Sequence, residues 1–116
     1  MAETRFRRTL GASRLVHDKV VNLAGETLGT IEQVMIDVVD GRVAYVVLSV
    51  GGFAGVGNKL FAVPWSAVTV DESCRRFVVN VTRQTLARVP GFDKDHWPDV
   101  ADLEVAGAIF RHWAAG

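Results

Sequence analysis

Residues 34–52, VMIDVVDGRVAYVVLSVGG, form the longest strongly patterned stretch of the chain and limit its fold more than any other. Two runs rich in β-branched residues flank Asp40 and Gly41. An Asp-Gly pair supplies the positive φ angles of a two-residue type I′ turn, so a β-hairpin with positive φ at Gly41 is expected. In the second strand both alternating sets are apolar: Val43, Tyr45 and Val47 on one face, Ala44, Val46, Leu48 and Val50 on the other, with Ser49 the polar interruption. Such a strand is covered on both sides. A small sheet with a twice-covered strand is expected to curl into a barrel with something packed on its outside.

The rest of the chain supplies partners for this hairpin. Residues 19–23 read as a first strand, 24–27 as the turn after it, and 28–39 as a second strand. Within that strand Ile31 is followed at three residues, not two, by Val34, after which Ile36 and Val38 restore the alternation. One extra residue at Glu32 and Gln33 predicts a β-bulge, which bends a strand as a closing sheet requires. Residues 59–63 form a short strand ended by Pro64, which has no N–H for the ladder. Residues 67–70 and 77–81 make a last pair, giving a mainly β domain, a small six-stranded antiparallel barrel. Val20, Ile31, Ile36, Val47, Phe61 and Val79 are expected inside it, together with Tyr45 or its opposite-face neighbours.

Helical signals are short or terminal. Ser13 is suited to cap one turn through Val16, and Thr82 a short helix through Arg88 that Pro90 and Gly91 stop. From Asp99 onward, Leu103, Ala106, Phe110 and Trp113 recur at spacings of three and four and predict an amphipathic helix. Asp99 and Asp102 suit its N-terminal end, and Arg111 and His112 the other. The expected organisation is a basic arm over residues 1–11, a barrel over 12–98 and the C-terminal helix over 99–116.

A chain of 116 residues, 49% of them hydrophobic, fits one domain whose core needs no disulfide or metal, and the single Cys74 can form no internal disulfide. Lys+Arg and Asp+Glu are both 13, so the basic excess that concentrates a protein on nucleic acid or anionic lipid is absent. The charge is nevertheless uneven: Arg5, Arg7, Arg8 and Arg14 crowd the start, and Asp93, Asp95, Asp99, Asp102 and Glu104 the end. A basic tail and a solvated acidic face account for both. No run approaches the ~18 apolar residues of a membrane span, so membrane insertion is not expected and the cytoplasm is the expected location.

The residues offer little chemistry. The glycine run Gly51, Gly52, Gly55 and Gly57 invites a phosphate-loop reading, but Asn58 separates Gly57 from Lys59 and Leu60 follows, which breaks the Walker A spacing. A flexible connection is the plainer account. Asp93, Asp95, His96, Asp99 and Asp102 are the best metal candidates, with Asp95, His96 and Asp99 closest together. They lack the glycine and terminal Glu of an EF-hand loop, and acids that cap a surface helix explain them as well. No Gly-x-Ser-x-Gly elbow marks a nucleophile, so neither catalysis nor a cofactor is expected.

The series Val20-Val21-Asn22, Gly25-Glu26-Thr27-Leu28-Gly29-Thr30-Ile31, Ile36-Asp37, Gly41 through Leu48, Gly51-Gly52 and Ala62-Val63-Pro64-Trp65 resembles the PRC-barrel family. The likeness covers roughly residues 12 to 98 and implies a six-stranded β-barrel. His17-Asp18 sits where many relatives have a glycine. The resemblance also implies a non-catalytic adaptor that docks by protein–protein contact. A homodimer is expected, because the apolar faces exceed what so small an interior accepts; Phe92, Trp97, Leu103, Phe110 and Trp113 are the candidate interface residues. The alternative is a regulatory domain that binds a small ligand or metal through residues 51–58 or the acidic cluster at 93–102.

Overall fold

The computed structural model describes residues 9–53, 57–71, 73, 75–88, 91, 92 and 97. Six strands form one sheet: β1 (Lys19–Val21), β2 (Thr27–Asp37), β3 (Arg42–Phe53), β4 (Gly57–Pro64), β5 (Val68–Asp71) and β6 (Arg76–Val79). Helix α1 (Ala12–Leu15) precedes β1, a 3-10 turn (Trp65–Ala67) joins β4 to β5, and α2 (Arg83–Arg88) follows β6. The spatial order is β4-β3-β2-β1-β6-β5, so β4 and β5 are the two edges of a curled sheet that forms a half-barrel.

The pairing is mostly antiparallel, as expected, but β1 and β6 run parallel, with Val20 opposite Phe77. The cause is the corner between β4 and β5. Pro64 ends the β4 ladder and the 3-10 turn carries the chain across the curl instead of reversing it in a hairpin. The β5–β6 hairpin then meets the free edge of β1 running in the direction of β1.

The bulge expected in β2 is present: the β2–β3 register shifts between Ile31 and Gln33, and a second shift falls between Met35 and Ile36. Gln33 Oε1 accepts the Val34 N–H at 3.3 Å next to the first shift. Near the start of the same strand, Gly29 lies so close to β3 that a Cβ there would overlap the Ser49 carbonyl oxygen. Only glycine allows this approach of two backbones.

From Tyr45 onward the two apolar sets of β3 face two different layers, whereas Val43 and Ala44 are exchanged between them, because the register shifts between Met35 and Ile36 opposite this stretch. Val46, Leu48 and Val50 join Val20, Leu28, Ile31, Val34, Phe61, Val63, Phe77, Val79 and Leu86 in the main core. Tyr45 and Val47 lie on the opposite face with Leu60 and Ala62 in a second cluster. Thus Val20, Ile31, Phe61 and Val79 are where the pattern puts them, and β3 serves the main core with the neighbours of Tyr45. Two expectations are corrected: Val47, expected inside the barrel, is buried in the second cluster instead, and Ile36 is 48% exposed. Two register shifts separate it from the alternation that starts at Leu28, and it lies on the projecting part of β2, past the last residue that pairs with β1.

Caps and turns close the remaining backbone groups. Helix α1 starts from Gly11, so Ser13 lies inside the helix and is not its cap. Thr82 does cap α2, its Oγ1 accepting the Thr85 N–H at 3.1 Å. Leu86 is the buried residue of α2, and full burial of such a side chain contributes about 1.5–3 kcal/mol. At the β1–β2 turn, buried Asn22 accepts the N–H groups of Ala24 and Glu26 on Oδ1 and donates to Glu26 Oε1 at 2.9 Å, while Gly25 takes φ +83. The side chain of Asn22 thereby replaces solvent at three points of one tight turn.

Candidate functional site

The β2–β3 hairpin ends in a connection of four residues, Val38, Val39, Asp40 and Gly41, rather than the two-residue turn that Asp-Gly predicts. Asp37 explains the difference. Its Oδ1 accepts the N–H groups of Val39 and Asp40 at 2.9 and 3.1 Å, and its main-chain oxygen accepts the Gly41 N–H at 2.8 Å. One acidic residue thus satisfies three donors of the loop. Gly41 takes φ +70, which closes the loop as expected. With the backbone donors of the loop satisfied by Asp37, Val38 and Val39 are left 87% and 90% exposed, with Ile36 beside them and the charged Asp40 and Arg42 exposed at the same tip.

A second surface lies over the outer face of β3 and β4. Tyr45, Val47, Leu60 and Ala62 are buried there, and Met35, Ala44 and Phe92 pack against them. Phe92 reaches this face because its backbone pairs with Leu60. Trp97 stacks on Phe92 with ring centroids 5.3 Å apart and remains 37% exposed. Of the expected interface residues, Phe92 and Trp97 are therefore brought together. Burial raises the pKa of Tyr45 above its ordinary value of 10.0.

The glycine run is partly strand, and its middle, residues 54–56, lies outside the described residues. Gly51 and Gly52 belong to β3 and Gly57 and Asn58 to β4, with Phe53 opposite Gly57. The β3–β4 ladder reaches the pair of Phe53 and Gly57.

The metal candidates Asp93, Asp95, His96, Asp99 and Asp102, and the interface candidates Leu103, Phe110 and Trp113, lie outside the described residues, as do the arm at residues 1–8 and the C-terminal helix. Among the described residues, no group of three or more His, Cys, Asp or Glu is placed to hold a metal ion. No helix among them is long and apolar enough to cross a membrane.

A further cluster was hidden from sequence reasoning. Arg14 of α1, Arg75 before β6 and Arg76 in β6 meet at the mouth of a pocket of about 170 Å³. Arg14 is far in the chain from the adjacent Arg75 and Arg76, and the signal that unites them, the parallel β1–β6 pairing that sets Lys19 opposite Arg76, is tertiary.

A six-stranded curled sheet with a 3-10 turn at one corner defines a small half-barrel β domain. The chain belongs to the PRC-barrel family: the PRC-barrel domain matches residues 8–86. Comparison with proteins of curated function gives no match.

Proposed function

We propose that this chain is a non-catalytic protein–protein interaction module that presents its β2–β3 hairpin tip to a partner protein and is itself a homodimer. The observation that carries the reading is the exposure of Val38 and Val39, 87% and 90%, at the end of one arm. Scattered apolar residues are normal on a surface, but adjacent ones grouped at a projecting tip mark an interaction site. The tip is also rigid for a loop. With its donors satisfied by Asp37, it meets a partner with little backbone ordering left to do. A PRC-barrel domain is in general a non-catalytic unit, which agrees with an adaptor role.

For the homodimer, the exposed edge of Trp97 on Phe92 offers an aromatic patch that a twofold contact covers on both copies at once. Two measurements test the reading. Capture from extracts of the source cells, with wild type and the Val38→Asp, Val39→Asp double variant side by side, should return a partner that the double variant loses while keeping its folded spectrum. Retention of every partner by that variant removes the tip from the function. Multi-angle light scattering should give twice the 12.6 kDa chain mass, and a single 12.6 kDa species at micromolar concentration removes the dimer.

A further inference from the structure

The pocket between α1 and the β5–β6 hairpin is amphipathic. Its inner wall is made by Leu15, Val70 and Phe77; Phe77 belongs to the main core and the other two pack against it. Three guanidinium groups and two carboxylates stand around this wall. Asp71 is already committed: Oδ2 accepts from Arg76 Nε at 3.1 Å and Oδ1 accepts from Ser73 Oγ at 2.8 Å. Asp18 is then the one lining carboxylate left to balance Arg14 and Arg75, whose guanidinium groups have no ion-pair or hydrogen-bond partner among the described residues. The lining keeps a formal charge of one positive, three arginines against two aspartates.

Arg75 is placed there by its backbone. It takes φ +52, a left-handed conformation that is uncommon outside glycine, one residue before the β5–β6 ladder closes at the pair of Asp71 and Arg76. Strained dihedrals of this type persist where the surrounding structure fixes them.

We infer that this pocket binds a small organic carboxylate, with a compact apolar body on the wall of Leu15, Val70 and Phe77 and its carboxylate on Arg14 and Arg75. The volume, about 170 Å³, is similar to that of a cavity of about 150 Å³ that holds one benzene, so a body of about six carbons fits. A single positive excess suits a monoanion. The planar guanidinium matches a carboxylate in a two-pronged hydrogen-bonded pair and is more weakly hydrated than an ammonium. Phosphate fits less well, because it would place a second charge near Asp18 and leave the apolar wall without a partner.

This site is separate from the hairpin tip, since neither Val38 nor Val39 lines it. The test is a titration of the full chain followed by amide chemical shifts. 4-Methylpentanoate should give saturable shifts at Leu15, Arg75 and Phe77, while 4-methylpentanamide and inorganic phosphate bind at least about tenfold more weakly. The Arg14→Gln, Arg75→Gln double variant, changed at two exposed side chains, should keep the wild-type spectrum away from the pocket and lose about tenfold or more in affinity for the acid. The peptide Gly-Gly-Leu with a free terminus separates the sources: affinity equal to that of the acid assigns the pocket to a chain end, and weaker binding assigns it to a free acid. No saturable shift with either acid overturns the inference, as does equal binding of the amide or an unchanged affinity in the double variant.

Discussion

Leu60 and Phe92 exchange two backbone hydrogen bonds, Leu60 N–H to Phe92 O at 2.9 Å and Phe92 N–H to Leu60 O at 2.8 Å. This one-residue bridge occupies part of the outer edge of β4, which would otherwise offer free donors and acceptors to another chain. Gly91 makes it possible, because a Cβ there would meet the Leu60 carbonyl oxygen at 2.7 Å and the Lys59 side chain at 2.8 Å. Gly91→Val is therefore expected to open the bridge, with loss of amide-exchange protection at Leu60 and Phe92 and a destabilisation of about 1–3 kcal/mol. Unchanged protection at both amides would show that the bridge does not depend on Gly91.

Tyr45 is the only tyrosine of the chain, so its titration is visible without interference. Burial raises its pKa from 10.0 in the folded state. Below pH 10 both folded and unfolded chains keep the proton and the stabilisation is intact. As pH rises past 10 the unfolded chain ionises first, so stability falls until the folded tyrosine ionises as well. The tyrosinate absorbance should appear above pH 10 in the native protein and return to about 10 in denaturant. Coincident titrations in the two states would contradict the burial of the phenol.

Arg83 fastens α2 to the sheet by donating from Nη1 to the Leu28 carbonyl at 3.2 Å and from Nη2 to the Gly51 carbonyl at 3.0 Å. Arg83→Met should cost about 1–3 kcal/mol, since two carbonyls lose a charged donor. Arg83→Lys should recover only part of it, because one ammonium lacks the fork that spans two acceptors. Equal urea midpoints for wild type and Arg83→Met would remove this role.

Two backbone positions should respond in opposite directions. His17 takes φ +75, a left-handed conformation in which a side chain is strained, and His17→Gly is expected to stabilise by up to about 1 kcal/mol. Gly41 takes φ +70 with open space where a Cβ would stand, so Gly41→Val should destabilise by about 1 kcal/mol or more through strain alone. Chemical denaturation of both variants checks the pair. An unchanged midpoint for Gly41→Val would mean that the loop does not hold its conformation.

The sequence carried the hairpin, the bulge and the twice-covered β3 because all three are written in the alternation of neighbouring residues. It carried the glycine-like site at residue 17 through the family resemblance, and φ at His17 agrees. It missed the length of the hairpin loop. Val38 and Val39 have high strand propensity, and the opposing influence is a set of hydrogen bonds to Asp37 that alternation does not encode. Ile36 was misplaced for a related reason: a second register shift resets the period just where it is read. The direction of β6 against β1, and with it the arginine-rimmed pocket, has no local signal at all.

That parallel pairing also sets an order of events during synthesis. Of the six described strands β1 leaves a ribosome first, and it waits with one edge unfilled until β6 has been translated, because Phe77, the partner of Val20, lies in the last of them in chain order. Contacts of such separation are closed late and slowly. A nascent chain halted before residue 76 therefore presents an unfinished sheet, with Val20 stripped of one neighbour and the core lacking Phe77, Val79 and Leu86. The fold is thus released for work only as a whole, after its last strand has docked beside its first.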